Sequence, residues 1–415
     1  MATETSYWVG SIDVHKSMLA VVAADVAGQG PLRLERRKFG TTANQVRELS
    51  AWLADRNVRE VVMESTALYW RPVWQELEGQ CRLFLAQAHS NRAPRGRKRD
   101  FADAERLLRR HLAGELILSF VPDAEQRLWR TMTRSKHQLT RDRVRIHNQV
   151  ESLLEDARIK LSGVVSDLLG VSSRRMLKAL AAGQTDPAKL AALADRALRA
   201  TPEQLQEALS AASTLAPLHR QVLGLFLSRL EVIESHMEIL DKSIATALAS
   251  FQDAVVRLAQ VPGFGLDSAQ QVIAEVGATA EAFPSPEQLS SWVGVCPGRE
   301  ESAEVSKTDR SPKGNRVMRR VLTQVANAAV KTEDSLFQAL YRKLLWKGHN
   351  KAIWAVAHRL CRLTWKILHQ GVSYIEYGAR LNPKALQRRT TKLVRELRQL
   401  GYQVQLGPLQ PKATG

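Results

Sequence analysis

Residues 7–14 (YWVGSIDV) and 18–24 (MLAVVAA) are nearly continuous apolar runs rich in β-branched residues, with His15 to Ser17 between them. This pattern predicts two strands joined by a tight turn. Alternating apolar and polar positions predict a third strand at 32–39, and apolar residues at helical spacing predict a helix over 42–56. A short apolar strand at 58–63 leads to Glu64, followed by a helix at 67–78 and a strand at 82–86. A basic loop, NRAPRGRKR, then runs into a helix at about 100–112. Three strands, a helix, and then strands alternating with helices form a ribonuclease-H-like α/β layout.

The period changes after residue 120. Residues 123–160 read as one long, charged, amphipathic helix, and 203–250 as a second. In the second, Leu223, Leu227, Leu230, Ile233, Met237, Leu240 and Ile244 recur at three- and four-residue intervals. The pair predicts a helical hairpin or coiled-coil arm, with an ordinary intramolecular bundle as the competing reading. Shorter helices are expected over the Ala/Leu-rich 161–200. From 254 the chain is again helical, with helices near 267–276, 286–293 and 313–331 and a further helical stretch at 335–371. The expected organisation is an α/β domain at 1–120, a helical arm at 121–250, an all-helical domain at 251–380 and a basic tail at 381–415.

Charge changes this picture. The chain carries 60 Lys+Arg against 42 Asp+Glu, a formal net charge of +18. Residues 151–289 are net acidic, while 290–415 hold 23 basic and 8 acidic residues. The last third is therefore the expected phosphate-gripping region, with nucleic acid the partner such an excess most often serves. Three cysteines without metal spacing argue for a reducing compartment and against a disulfide framework. The N-terminus lacks the features of a signal peptide, and no apolar run is long enough to span a bilayer. A cytoplasmic, nucleoid-associated protein is expected.

Four acids stand where such an α/β domain would place magnesium ligands. Asp13 and Glu64 sit at the ends of apolar strands, and Asp100 and Asp103 lie three apart at a helix start, sharing a face. Converging carboxylates repel one another and favour a hard divalent cation. Solvated strand ends and helix N-capping are the bland alternatives. Arg97, Lys98 and Arg99 adjoin the third acid as candidate phosphate ligands. VPGFG (Val261 to Gly265) is a glycine turn before a helix, read either as a phosphate-facing nest or as a plain helix–helix turn. The polar stretch 294–316 holds Ser302, Ser306 and Ser311 among Lys307, Arg310, Lys313 and Arg316, with Arg319 and Arg320 in the following helix. A serine attacking a phosphodiester needs such cations nearby. Trp346, Trp354 and Trp365 are interleaved with basic residues; base stacking is one reading, and core packing is expected for most of them.

Taken together, these motifs resemble transposases of the insertion-sequence one-ten family, with the one-one-one-one subgroup nearest. GSIDVHKSMLAVV, VVMESTALYW and GRKRDFADAERL are similar to the family's three acidic motifs. VPGFGLDSAQQVIAEVG and LSSWVGVCPGREESAEVSKTDRSPKGNRVMRRVL resemble its C-terminal transposase domain. The resemblance implies a RuvC-like domain whose DEDD tetrad is Asp13, Glu64, Asp100 and Asp103, holding Mg2+. It implies that Ser302 attacks DNA and forms a phosphoserine link. It further implies a tetramer in which the serine of one protomer completes another's acidic site, and a noncoding bridge RNA that pairs with donor and target DNA. Two departures stand out. Glu304 occupies a place where glycine is usual, which leaves Ser306 as a substitute nucleophile, and Arg99 stands where Thr or Ser is usual. The rival functions are a metal-dependent, structure-specific RuvC-type endonuclease and a non-catalytic nucleic-acid-binding assembly factor.

Overall fold

A computed structural model describes residues 7–27, 32–65, 67–88, 100–296, 311–376 and short stretches within 390–404, with the backbone alone at 301–302 and 305–306. Two units are distinguished, Met1–Glu125 and Gln126–Gly415.

The first unit is built on strands β1 (Trp8–Val14), β2 (Met18–Asp25), β3 (Arg33–Gly40), β4 (Val58–Glu64) and β5 (Arg82–Ala86). They form one sheet in the order β3-β2-β1-β4-β5. β1–β2 and β2–β3 pair antiparallel, while β1–β4 and β4–β5 pair parallel. This is the mixed sheet that a ribonuclease-H-like fold requires. Side chains alternate across it. Trp8, Ile12, Val14, Val61 and Met63 face one way, into a core with α1 (Ala43–Ala54) and α2 (Trp70–Leu77). Val9 and Val62 face the other way, beneath Ala104, Leu107 and Leu108 of α3 (Asp100–Leu112). Ser11 is wholly buried on that second face and donates to the Ala104 carbonyl at 2.8 Å, which pins α3 over β1.

The second unit begins in α4 (Ala124–Asp156). It continues through α5 (Val171–Ala181), α6 (Pro187–Ala191), α7 (Pro202–Ala208) and α8 (Pro217–Ala247). The expected single helix over 203–250 is two. Ala216 is extended and Pro217 opens α8, because proline tolerates the first turn of a helix but not its interior. Ion pairs of Lys136 with Asp241 and of Arg143 with Glu234 show α4 and α8 running antiparallel. Leu223, Leu227 and Leu230 do not form a separate seam. They sink into one core with Ile146, Val150 and Leu154 of α4, Leu177 and Leu180 of α5, and Leu205 of α7. This end of the pair belongs to an intramolecular bundle, and farther along α4 and α8 run side by side as a helical hairpin.

The remaining helices are α9 (Gln252–Ala259), α10 (Leu266–Val276), α11 (Pro286–Val293), α12 (Arg316–Ala329), α13 (Leu336–Leu344) and α14 (His349–Gln370). The expected helical stretch over 335–371 consists of α13 and α14, parted at Gly348, whose φ of +95° turns the chain between them. Gly263 sits between α9 and α10 with φ +87°, pressed on α12. A Cβ there would come within 2.3 Å of the Val325 carbonyl oxygen and 2.6 Å of the Ala329 nitrogen. The Phe264 amide donates to the Val261 carbonyl and the Gly265 amide to Ser268 Oγ, so two amides of the VPGFG turn are used internally. That geometry favours a helix–helix joint over a phosphate nest. Gly263→Ala is expected to lower stability by about 2 kcal/mol, combining backbone strain with overlap against α12. Urea unfolding measures this, and an unchanged midpoint would show that α12 can move away at no cost.

Candidate active site

The alternation of the sheet sets the acidic site. Asp13 follows Ile12 and Glu64 follows Met63, and Ile12 pairs with Met63 across the parallel β1–β4 ladder. One residue further on, both carboxylates stand side by side on the face that carries Val9, Ser11 and Val62. That face is covered by α3, which begins at Asp100 and holds Asp103 one turn later. The four acids predicted from sequence thus belong to three elements that converge at one corner of the sheet.

Electrostatics agree with the placement. Burial raises the Asp13 carboxyl above its ordinary value; His15 acts to lower it, while Asp103 and Glu64 push it further up. His15 Nε2 lies 3.1 Å from Asp13 Oδ2 and 3.8 Å from Asp100 Oδ1. Lys38 Nζ donates to Asp100 Oδ2 at 2.9 Å and holds that carboxyl below its ordinary value. Asp103 is paired with Arg106 at 2.7 Å. Ligand atoms of Asp13, His15 and Asp100 all lie within 4.8 Å of one another, a spacing suited to one metal ion. Sequence reasoning left His15 and Lys38 unassigned. His15 was visible two residues beyond Asp13, but Lys38 reaches Asp100 only through the β1–β2–β3 register.

The serine-bearing stretch lies in the second unit. β6 (Glu301–Ser302) and β7 (Val305–Ser306) pair antiparallel, Ser302 opposite Val305. The stem of this loop is closed tightly. A Cβ on Gly294 would meet the Pro312 oxygen at 2.6 Å, and one on Gly314 would meet the Val293 oxygen at 2.2 Å. The Asn315 amide donates to the Trp292 carbonyl at 3.2 Å. Asn315 Oδ1 caps α12 at Val317 and Met318, while its Nδ2 donates to Glu275 at 2.9 Å.

The candidate cations divide. Arg97, Lys98, Arg99, Lys307 and Arg310 lie outside the described residues. Lys313 and Arg316 are exposed beside the stem. Arg319 is committed internally, donating to the Gly294 and Pro312 carbonyls and lying over Trp354. Arg320 donates to Gln271 at 2.6 Å and to Gln324 at 3.1 Å. Both are thus positioned by contacts within the fold.

Residues 10–159 match the DEDD-type family of IS110 elements, described as Transposase. Residues 255–342 match the family described as Transposase IS116/IS110/IS902 family. The chain belongs to the IS110-family transposases. A protein of Pseudomonas aeruginosa named "Probable family 20 transposase" is 26% identical over 325 residues, covering 76% of this chain and 85% of that protein. The five-stranded first unit is the DEDD-type part of the transposase, and the family implies cutting and rejoining of DNA. No helix among the described residues is long and apolar enough to cross a membrane.

Proposed function

We propose that this transposase cuts and rejoins DNA strands through a phosphoserine at Ser302, with Asp13, Glu64, Asp100 and Asp103 holding Mg2+. The observation that carries the reading is the convergence of β1, β4 and α3: Asp13 and Asp100 lie within ligand spacing of each other and of His15, and Glu64 and Asp103 are near enough to push the Asp13 carboxyl up. A half-buried carboxylate such as Asp13, disfavoured in its ionised form, fits a bound cation, as does its spacing to His15 and Asp100. The metal would supply positive charge to the reacting phosphate.

In the reaction, Ser302 Oγ attacks phosphorus, a protein–phosphate ester forms, and one bridging P–O bond of the strand breaks, leaving a free hydroxyl. Attack on the phosphoserine by a hydroxyl of the partner strand forms the new strand ester, breaks the P–O bond to serine and so completes the exchange. The count of phosphoester bonds is unchanged, so no hydrolysis and no external energy are needed. Lys313 and Arg316 at the loop stem favour phosphate approach. A noncoding bridge RNA directing donor and target choice belongs to the same reading: the resemblance of the motifs implies it, and the basic last third suits such a strand.

The same reading includes assembly as a tetramer, with the serine of one protomer reaching the acids of another; α8 supports association of copies as such. Leu218, Leu225, Val232 and Ile239 recur every seven residues and are 54–67% exposed. An apolar stripe of that period suits a helix of another copy.

The test is the covalent adduct. With cleavable donor DNA, Ser302→Ala is expected to abolish a denaturant-stable protein–DNA band, while Ser306→Ala retains it. The reverse result would move the nucleophile to Ser306. Strand cutting by Ser302→Ala without any adduct would replace the serine by water and favour the endonuclease reading. Binding without cutting by the unsubstituted protein would favour an assembly factor.

A further inference from the structure

Residues 336–375 contain seven Lys and Arg and no Asp or Glu. Within them the three tryptophans take different places. Trp365 is buried and donates to the Phe283 carbonyl. Trp354 is half-buried between Ser311 and Arg319. Trp346 is 80% exposed, the highest value among the large apolar residues described. It sits on the short 3-10 turn Leu345–Lys347 that joins α13 to α14. Tyr341 and His349 close the base of this corner through a 2.9 Å contact. Lys347 Nζ lies 5.0 Å from the Trp346 ring centroid, and Arg342, Lys343 and Lys347 are all exposed.

An indole offers roughly 150–250 Å² of contact surface. Leaving most of it in water is unfavourable in an isolated domain, so such an exposed ring points to a partner. The partner must carry negative charge, because every charged side chain of the corner is a cation. It must also offer a flat π-face to a single ring on a convex turn. An unpaired base with its flanking phosphates meets both demands, whereas duplex DNA keeps its bases stacked inside.

We infer that Trp346 is a stacking platform for an unpaired nucleotide of a nucleic-acid strand, with Arg342, Lys343 and Lys347 on the adjoining phosphates. The inference rests on the nucleic-acid part of the proposed function and is independent of the serine chemistry. The strand can be RNA or displaced DNA, which share this chemistry.

Equilibrium binding by the full-length protein tests it, using labelled single-stranded DNA, RNA of the same sequence, and duplex DNA over a salt series. Trp346→Ala is expected to weaken single-strand binding about 5- to 100-fold, as loss of one base–aromatic stack would. Trp346→Phe is expected to stay within a few-fold of the parent. The salt dependence of Trp346→Ala should be unchanged, whereas Lys343→Ala with Lys347→Ala should flatten it by about one to two phosphate contacts. The arm with the larger loss, RNA or DNA, identifies the strand. Binding of both strands by Trp346→Ala at the parent's affinity, or a change confined to oligomeric state, would overturn the platform in favour of an idle or self-associating ring. Adduct formation by Ser302 is read separately, so either reading can fail alone.

Discussion

Asp13→Asn is expected to abolish DNA strand exchange, by about a thousandfold or more, without weakening the fold. The size follows from the position. Asp13 is flanked by Glu64 on the neighbouring strand and faced by Asp100 and Asp103 from α3, so it is the common neighbour of the site. Charge stabilisation by a held cation is worth several kcal/mol, and about 1.4 kcal/mol is tenfold in rate. The sign on stability runs the other way. The folded protein raises the Asp13 carboxyl, chiefly by burial, so the ionised group opposes folding once the pH exceeds its unfolded value. Asn removes that charge, and the metal-free variant is expected to melt at or above the parent temperature at pH 7. Divalent cation should raise the parent's melting temperature more than the variant's. Unchanged strand exchange by Asp13→Asn would make the tetrad ornamental. Mixing Asp13→Asn with Ser302→Ala protomers adds a test of assembly: restored exchange shows serine and acids acting from different subunits, and no restoration places them in one.

The sheet and its acids were legible because each depends on local pattern. β1 and β4 announce themselves as apolar runs that stop at an acid, and the i, i+3 spacing of Asp100 and Asp103 requires only a helix. Pairing of neighbouring strands then brings distant acids together with no further information. The long-helix expectation failed at Ala216–Pro217 because apolar periodicity runs through the break; the proline was the local signal, and it marked the start of α8. The exposed stripe of α8 was hidden for a related reason. Periodicity shows that a helix has apolar faces, and only packing shows that Leu223 and Leu227 are covered while Leu225 and Val232 are not. Strands β6 and β7 carry no alternation, being two residues each. Trp346 and Trp365 read alike in sequence, both apolar among cations, yet Trp346 stands exposed on the turn before α14 while Trp365 is buried near the end of α14 against Phe283.

Glu275 was illegible for the strongest reason: its partners lie about 40 and 140 residues away. Its side chain is fully buried near the end of α10. Arg134 binds it through two contacts of 2.7 and 2.9 Å, and Asn315 donates to it at 2.9 Å. Arg130 is 3.5 Å away and also caps the last α10 carbonyls, donating to Ala274 and Glu275. One carboxylate thus ties α4 to α10 and to the N-cap of α12, where the stem of the serine loop closes. Removing it leaves Arg134 and the Asn315 side-chain amide without that acceptor, while Arg130 keeps the α10 carbonyls; unpairing these donors costs about 3 kcal/mol. Glu275→Ala is expected to lower the melting temperature by roughly 10 °C and to reduce DNA cutting, because Asn315 loses its anchor. Glu275→Gln keeps an acceptor of the same shape and should fall between the two. Double substitution of Arg134 and Glu275 by Leu separates charge from packing: recovery of stability relative to Glu275→Ala is expected if unpaired charge is the cause. An Ala variant that melts with the parent would mean that α4 and the loop stem are held by apolar packing alone.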